Sequence, residues 1–253
     1  MRSWILFLIA FSLVFLYQKR DKLGFVLKRA RMRKGDYDGA LRWLRWTSVG
    51  SPSVFCLHQE GLILTMAGRL VESERRYRRS LAMTQKGSSY PRERLYACLG
   101  FVLVDLGRYD EAEQSFRNAI EAGDITGSSQ DGFAEVLLAR GVEPEKALAY
   151  IDQGIEIAKR RNSGPVHWER SATRAWALGL LGRSDKARES IAVALGQPEI
   201  EAPFVADCHW RIGMALLAMQ QTAEACHHFQ LGKDADPRGK YGKRCAEMLR
   251  KSQ

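Results

Sequence analysis

The sequence predicts an all-α protein: an α-solenoid of about six stacked helix pairs, closed by a C-terminal capping helix and preceded by one N-terminal transmembrane helix. Three observations carry this. A frame of small and large apolar residues returns along the chain from Leu27 onward. One uncharged apolar run stands alone at Trp4–Tyr17. Only 7 prolines occur in 253 residues, which argues against a long structureless segment.

The apolar run comes first. With Ser3 and Gln18 it is somewhat shorter than the roughly 20 residues of a usual spanning helix and close to the lower limit of about 17. Its ends suit a membrane: Trp4 and Tyr17 stand where interfacial aromatics belong, and Lys19 and Arg20 can snorkel. A cleaved signal peptide needs a small-residue cleavage site, and Phe15–Lys19 offers none. A buried core helix would need a polar face, and the run has none. Residues 1–20 are therefore expected to be an uncleaved anchor.

The formal charge of +10 is unevenly placed. Lys19, Arg20, Lys22, Lys28, Arg29, Arg31, Arg33 and Lys34 face one acid, Asp21, so that Lys19–Lys34 alone carries seven of the ten excess charges. Positive flanks stay inside. The expected arrangement is single-pass, with the repeat domain on the cytoplasmic face of a bacterial inner membrane. The basic stretch also suits anionic headgroups, at about 1 kcal/mol per well-placed residue; a pure topology signal is the alternative. The rest of the chain is near balance, so no nucleic-acid surface is indicated. Five cysteines, odd in number and without a C-x-x-C pair, read as thiols of a reducing compartment.

The clearest unit of the frame is Pro91–Asp124. It runs Tyr96-x2-Leu99-Gly100-x2-Leu103, then Leu106-Gly107-Arg108-Tyr109-Asp110-Glu111-Ala112, then Phe116 and Ala119. Leu57, Gly61, Leu64, Gly68, Ser73, Tyr77 and Ser80 hold the equivalent places before it. The small residue near position twenty recurs at Ala40, Ser73, Ala112, Ala147, Ala187 and Ala225, in steps of 33, 39, 35, 40 and 38 residues. Small residues let two helices approach closely, large ones interlock with the next pair, and stacking supplies a core that no pair has alone. The expected units are 21–54, 55–88, 91–124, 127–161, 167–199 and 205–237, a repeat domain of residues 21–237. Residues 238–253 then cap the open end, with Tyr241, Cys245, Met248 and Leu249 on one face. Extra residues fall between units at Gln85–Pro91, Gly123–Gln130, Asn162–Val166 and Gly196–Pro203, as partner-specific loops or as neutral insertions.

This pattern closely resembles the tetratricopeptide repeat. In anchor and repeats the chain also looks like membrane-anchored bacterial members of lipopolysaccharide assembly, but it lacks their double C-x-x-C module, so that function is not carried across. The resemblance implies a concave surface lined by the first helix of each unit. Its contact positions fall on Phe55, His58, Leu62, Thr65 and Met66; on Arg94, Ala97, Phe101, Val104 and Asp105; and on Ser128, Asp131, Glu135, Leu138 and Ala139. They continue at Glu169, Ala172, Trp176, Gly179 and Leu180, and at Asp207, Trp210, Met214, Leu217 and Ala218. The family's carboxylate clamp is not reproduced. Phe55, Met66, Phe101, Trp176, Trp210 and Met214 instead suggest anchors for an apolar helix or extended segment of a protein partner. Packing between helices is the competing reading.

No phosphate loop, nucleophile elbow or H-E-x-x-H helix occurs, so neither catalytic residue, cofactor nor metal is expected. Cys208-His209 and Cys226-His227-His228 match no standard ligand spacing, and a metal enzyme built on them is the weakest alternative. Asp105, Asp110, Glu111 and Glu113 fit turns and solvated faces. Arg75, Arg76, Arg78 and Arg79 fit a solvated helix face. The sequence thus predicts a non-catalytic scaffold tethered to a membrane, with self-assembly into a homo-oligomeric envelope component as the alternative.

Overall fold

The computed structural model describes residues 24, 26–47, 53–84, 90–160, 168–196 and 201–252. Among them the structure is helical, without a strand. Helix α1 covers residues 26–33 and pairs with α2 (Tyr37–Thr47). Then come α3 (Val54–Met66) with α4 (Leu70–Met83), α5 (Arg92–Asp105) with α6 (Tyr109–Glu121), and α7 (Ser128–Arg140) with α8 (Pro144–Arg160). The last pairs are α9 (Trp168–Leu180) with α10 (Ser184–Leu195) and α11 (Ala202–Ala218) with α12 (Thr222–Ala235), followed by α13 (Lys240–Lys251).

Local chemistry sets the helix limits. Ser53 Oγ caps α3 by accepting the Cys56 N–H at 3.1 Å. At the other end of α5, Gly107 takes a left-handed φ of 74°. The Gly107 N–H then reaches Val104 O at 3.0 Å and the Arg108 N–H reaches Leu103 O at 2.9 Å, which satisfies the last carbonyls and turns the chain into α6. The Gly123–Gln130 connection is tied down by Asp124, whose carboxylate accepts the backbone N–H groups of Thr126 and Ser129, each at 2.8 Å. Residues 85–89, Asn162–Val166 and residues 197–200 lie outside the described residues.

The repeated small residues explain the pairing. Ala40, Ser73, Ala112, Ala147, Ala187 and Ala225 are all completely buried. Three pairs share a second device. A Cβ on Gly61 would lie 2.7 Å from the Tyr77 ring, one on Gly100 2.5 Å from Phe116, and one on Gly213 2.3 Å from Phe229. In each, an aromatic of the second helix sits on bare backbone of the first. The fourth and fifth pairs carry Ala134 and Ala175 at that place, and the second helix answers with the smaller Ile151 and Ile191. Gly100→Val should overpack this contact and lower unfolding stability by about 1–3 kcal/mol; equilibrium denaturation in urea measures it.

The first helices α3, α5, α7, α9 and α11 touch one another in series, and each second helix packs beside its own partner and the next pair. The first helices therefore line the concave side. The curvature brings the two ends of the solenoid together. Tyr37 at the start of α2 donates its hydroxyl to Asp236 beyond α12, and Arg29 pairs with Glu201 at 2.6 Å. Lys28 is buried, with Nζ on Gln59 Oε1 at 2.7 Å. That part of the basic stretch is thus engaged within the chain. No helix among the described residues is long and apolar enough to cross a membrane; Trp4–Tyr17 lies outside them.

Candidate functional site: the concave channel

The concave side encloses two adjoining spaces of about 240 Å³ and 570 Å³. They share Asp105, Glu135, Arg211 and Tyr241, which form a charged partition between them. Met66 and Phe101 line the smaller space; Trp176, Trp210 and Met214 line the larger. Phe55 lines neither and is 46% exposed. Trp176 is buried, edge-on to Trp210 with ring centroids 5.6 Å apart, so it packs as core as well as wall. Phe101 leans edge-on against Phe116 at 5.1 Å.

The partition is a network of buried ions. Arg211 on α11 is 5% exposed. It donates to Asp207 Oδ1 and to Thr173 Oγ1, each at 2.7 Å, pairs with Glu135 Oε1 at 2.6 Å, and reaches the Tyr241 hydroxyl at 3.3 Å. Arg170 donates to Asp131 and to the Thr126 carbonyl at 2.7 Å. Asp105 accepts Lys240 Nζ at 2.6 Å and Arg244 at 2.9 Å. Its side chain is 8% exposed, so this acid is not at a solvated face. Asp110, by contrast, is 95% exposed.

Helix α13 therefore does more than cap. Cys245 is completely buried, while Lys240, Tyr241 and Arg244 project into the channel. Lys240 Nζ lies 4.1 Å from the centre of the Tyr241 ring, and the Arg244 guanidinium lies 5.2 Å from Trp210. The acidic residues at the groove positions were legible in the sequence; their cations were not.

Electrostatics separate one carboxylate from the rest. Burial alone would raise Asp105, but Lys240 and Arg244 outweigh it and hold the group below its usual range. Burial would likewise lower Arg211, and Asp207 and Glu135 reverse that. Burial pushes Asp131 up to about 6 despite Arg170. Glu169 on α9 also faces the smaller space, and accepts neither a hydrogen bond nor an ion pair from a described residue. Glu169 is exposed, and water reaches its side chain from the cavity. Burial first, then the charge of Asp207, pushes its carboxyl up to about 7, with Arg211 opposing.

The raised carboxyl costs the fold nothing below about pH 4.5, where folded and unfolded chains are both protonated; the cost grows as the pH rises from there and is complete above about 7. Glu169→Gln should therefore increase stability at pH 8 by about 1–2 kcal/mol, less than the whole shift because water in the cavity screens the charge. At pH 4.5 the two proteins should be nearly equal. Denaturant titrations at both pH values check this.

The Cys/His patch lies where α11 packs against α12. Burial raises the Cys208 thiol to about 12 and lowers His209 to about 4. His209 and His228 share one hydrogen bond, Nδ1 to Nδ1, at 2.9 Å. Among the described residues no three His, Cys, Asp or Glu side chains are placed to hold a metal ion.

Stacked helix pairs whose first helices line a concave channel define a helical-repeat interaction module. Residues 93–122 and 171–192 each match a family model described as tetratricopeptide repeat, so the chain carries tetratricopeptide repeats at these places. No curated protein matches it. Among solved structures it is similar to a tetratricopeptide repeat protein from Parabacteroides merdae, with 19% identity and a TM-score of 0.61 over 93% of this chain and 84% of that one. A thermophilic TPR protein from Thermus thermophilus gives 19% and 0.56, over 78% and 99%. The APC/C hetero-tetramer Cut9–Hcn1 gives 13% and 0.61, over 98% of this chain and 45% of that one. At these identities the likeness establishes the fold.

Proposed function

We propose that this protein is a non-catalytic scaffold that seats a segment of a partner protein in its concave channel. The observation that carries the reading is the channel itself: side chains from the first helices of successive pairs meet there, with Met66 and Phe101 on one side of the partition and Trp210 and Met214 on the other. Adaptable apolar walls beside fixed charges suit a short helix or an extended segment. The same fold is built into the Cut9–Hcn1 hetero-tetramer. Trp4–Tyr17 would hold the scaffold to the cytoplasmic face of a bacterial inner membrane as a single-pass anchor, with Lys19–Lys34 at the headgroups. Tethering raises the local concentration of scaffold and partner without any new contact.

Trp176 is too deeply packed to serve as a probe. The channel is better tested with Met66→Arg and Met214→Arg, both half-buried and both on its walls. Tagged full-length protein and the double variant are purified from gently solubilised membranes. A specific partner should fall at least tenfold in yield with the double variant, while helix content stays the same. Equal recovery would move the contact away from the channel.

A further inference from the structure

We infer that the smaller cavity is a receptor for one alkylammonium group, the end of a lysine side chain carried by the partner segment, with Glu169 as its counter-charge. The inference rests on the reading of the channel as the partner's seat. It starts from a charge count. Asp105 holds both Lys240 and Arg244, Asp131 holds Arg170, and Glu135 and Asp207 share Arg211, so four acids meet four cations within hydrogen-bonding distance. Glu169 is the fifth carboxylate on the cavity wall and has no such partner among the described residues. One negative charge is left over, on the wall of the cavity.

The channel also shows how it holds an ammonium. Lys240 Nζ sits between the Asp105 carboxylate at 2.6 Å and the face of Tyr241 at 4.1 Å. The cavity wall also carries Leu62, Met66, Phe101, Ile151 and Phe204, beside the hydroxyls of Thr65, Ser128 and Thr173. Such walls match the methylene stem of a lysine. The space of about 240 Å³ has room for one long side chain. A calcium ion, which takes six to eight oxygens, would compete with cations for carboxylates already paired.

The groups that decide the titration of Glu169 come from every neighbouring helix. Asp131 and Glu135 on α7 and Asp207 on α11 disfavour its charge, while Arg211 favours it. Arg170, Lys240 and Tyr241 complete the walls. An arriving ammonium removes the penalty, so binding should weaken as the pH falls below 7.

The test uses saturation-transfer NMR on the full chain in deuterated detergent, with n-pentylamine, 1-pentanol and the capped tripeptide Ac-Ala-Lys-Ala-NH2 as probes. At pH 8 pentylamine should bind at least tenfold tighter than pentanol. That preference should vanish in Glu169→Gln and shrink at pH 5.5, and it should persist in the control Glu156→Gln on exposed α8. Equal binding of amine and alcohol, or an unchanged preference in Glu169→Gln, would overturn the ammonium site. Binding of the free amine with exclusion of the tripeptide would overturn the partner's lysine as its source. The channel reading stands apart from this: loss of partner with the Met66→Arg/Met214→Arg pair but undiminished recovery with Glu169→Gln would reject the lysine contact and retain the channel.

Discussion

Asp105→Ala is expected to destabilise the protein by about 3–5 kcal/mol, the range for removing one partner of a buried ion pair. Two cations lose their anion at once. The Lys240 side chain is 11% exposed and that of Arg244 is 30% exposed, so Lys240 bears the larger part of the penalty. The damage should be local in its first effect. Asp105 lies on α5 and both cations on α13, so amide exchange in residues 240–251 should accelerate before α5 itself opens. The double variant Asp105→Ala/Lys240→Met should recover part of the loss, because apolar replacement of a whole buried pair is far less harmful than halving it. Urea denaturation gives the energies and hydrogen exchange gives the location.

Arg211→Met should have an effect of similar size, about 3–5 kcal/mol, by the opposite route. It leaves Asp207 and Glu135 without their shared cation, beside Glu169. Three carboxylates would then face one cavity. The loss should be larger at pH 8 than at pH 5.5, since Glu169, with its carboxyl at about 7, is protonated at the lower pH. Arg117→Met, on the outside of α6 and paired only with Glu113, should stay within about 0.5 kcal/mol. Denaturation at both pH values measures the pair of variants and their difference.

The contrast between these two sites and the repeat frame marks what the sequence could and could not reveal. Ala112 and Gly100 are constrained by a helix that follows within a few residues, so the demand for a small side chain appears as a local, repeated pattern. The same register placed Met66, Phe101, Trp210 and Met214 on the channel walls, although Phe55 fell outside it and Trp176 proved to be largely core. The acids are different. Asp105 reads as a turn residue because its cation comes from a position 135 residues away, and the Tyr37–Asp236 contact that joins the solenoid's ends spans 199 residues. No short-range pattern encodes such a meeting. A signal was nonetheless present: Asp105, Asp131, Glu135, Glu169 and Asp207 all occupy groove positions in consecutive pairs, and an acidic stripe on a concave wall needs cations from somewhere.

Glu169 also fits a wider expectation. Residues that weaken a fold and are retained tend to serve binding or chemistry. Here the weakening grows above about pH 4.5 and is greatest above about 7, the range where a cation would be held.

The most direct test of the account is site-specific photocrosslinking in membranes. A benzophenone side chain is placed at Met214 on the channel wall, and in a second protein at Lys186 on the exposed side of α10. The account predicts that the partner is trapped through Met214 and not through Lys186. Trapping through Lys186 with none through Met214 would place the partner on the convex face and contradict it.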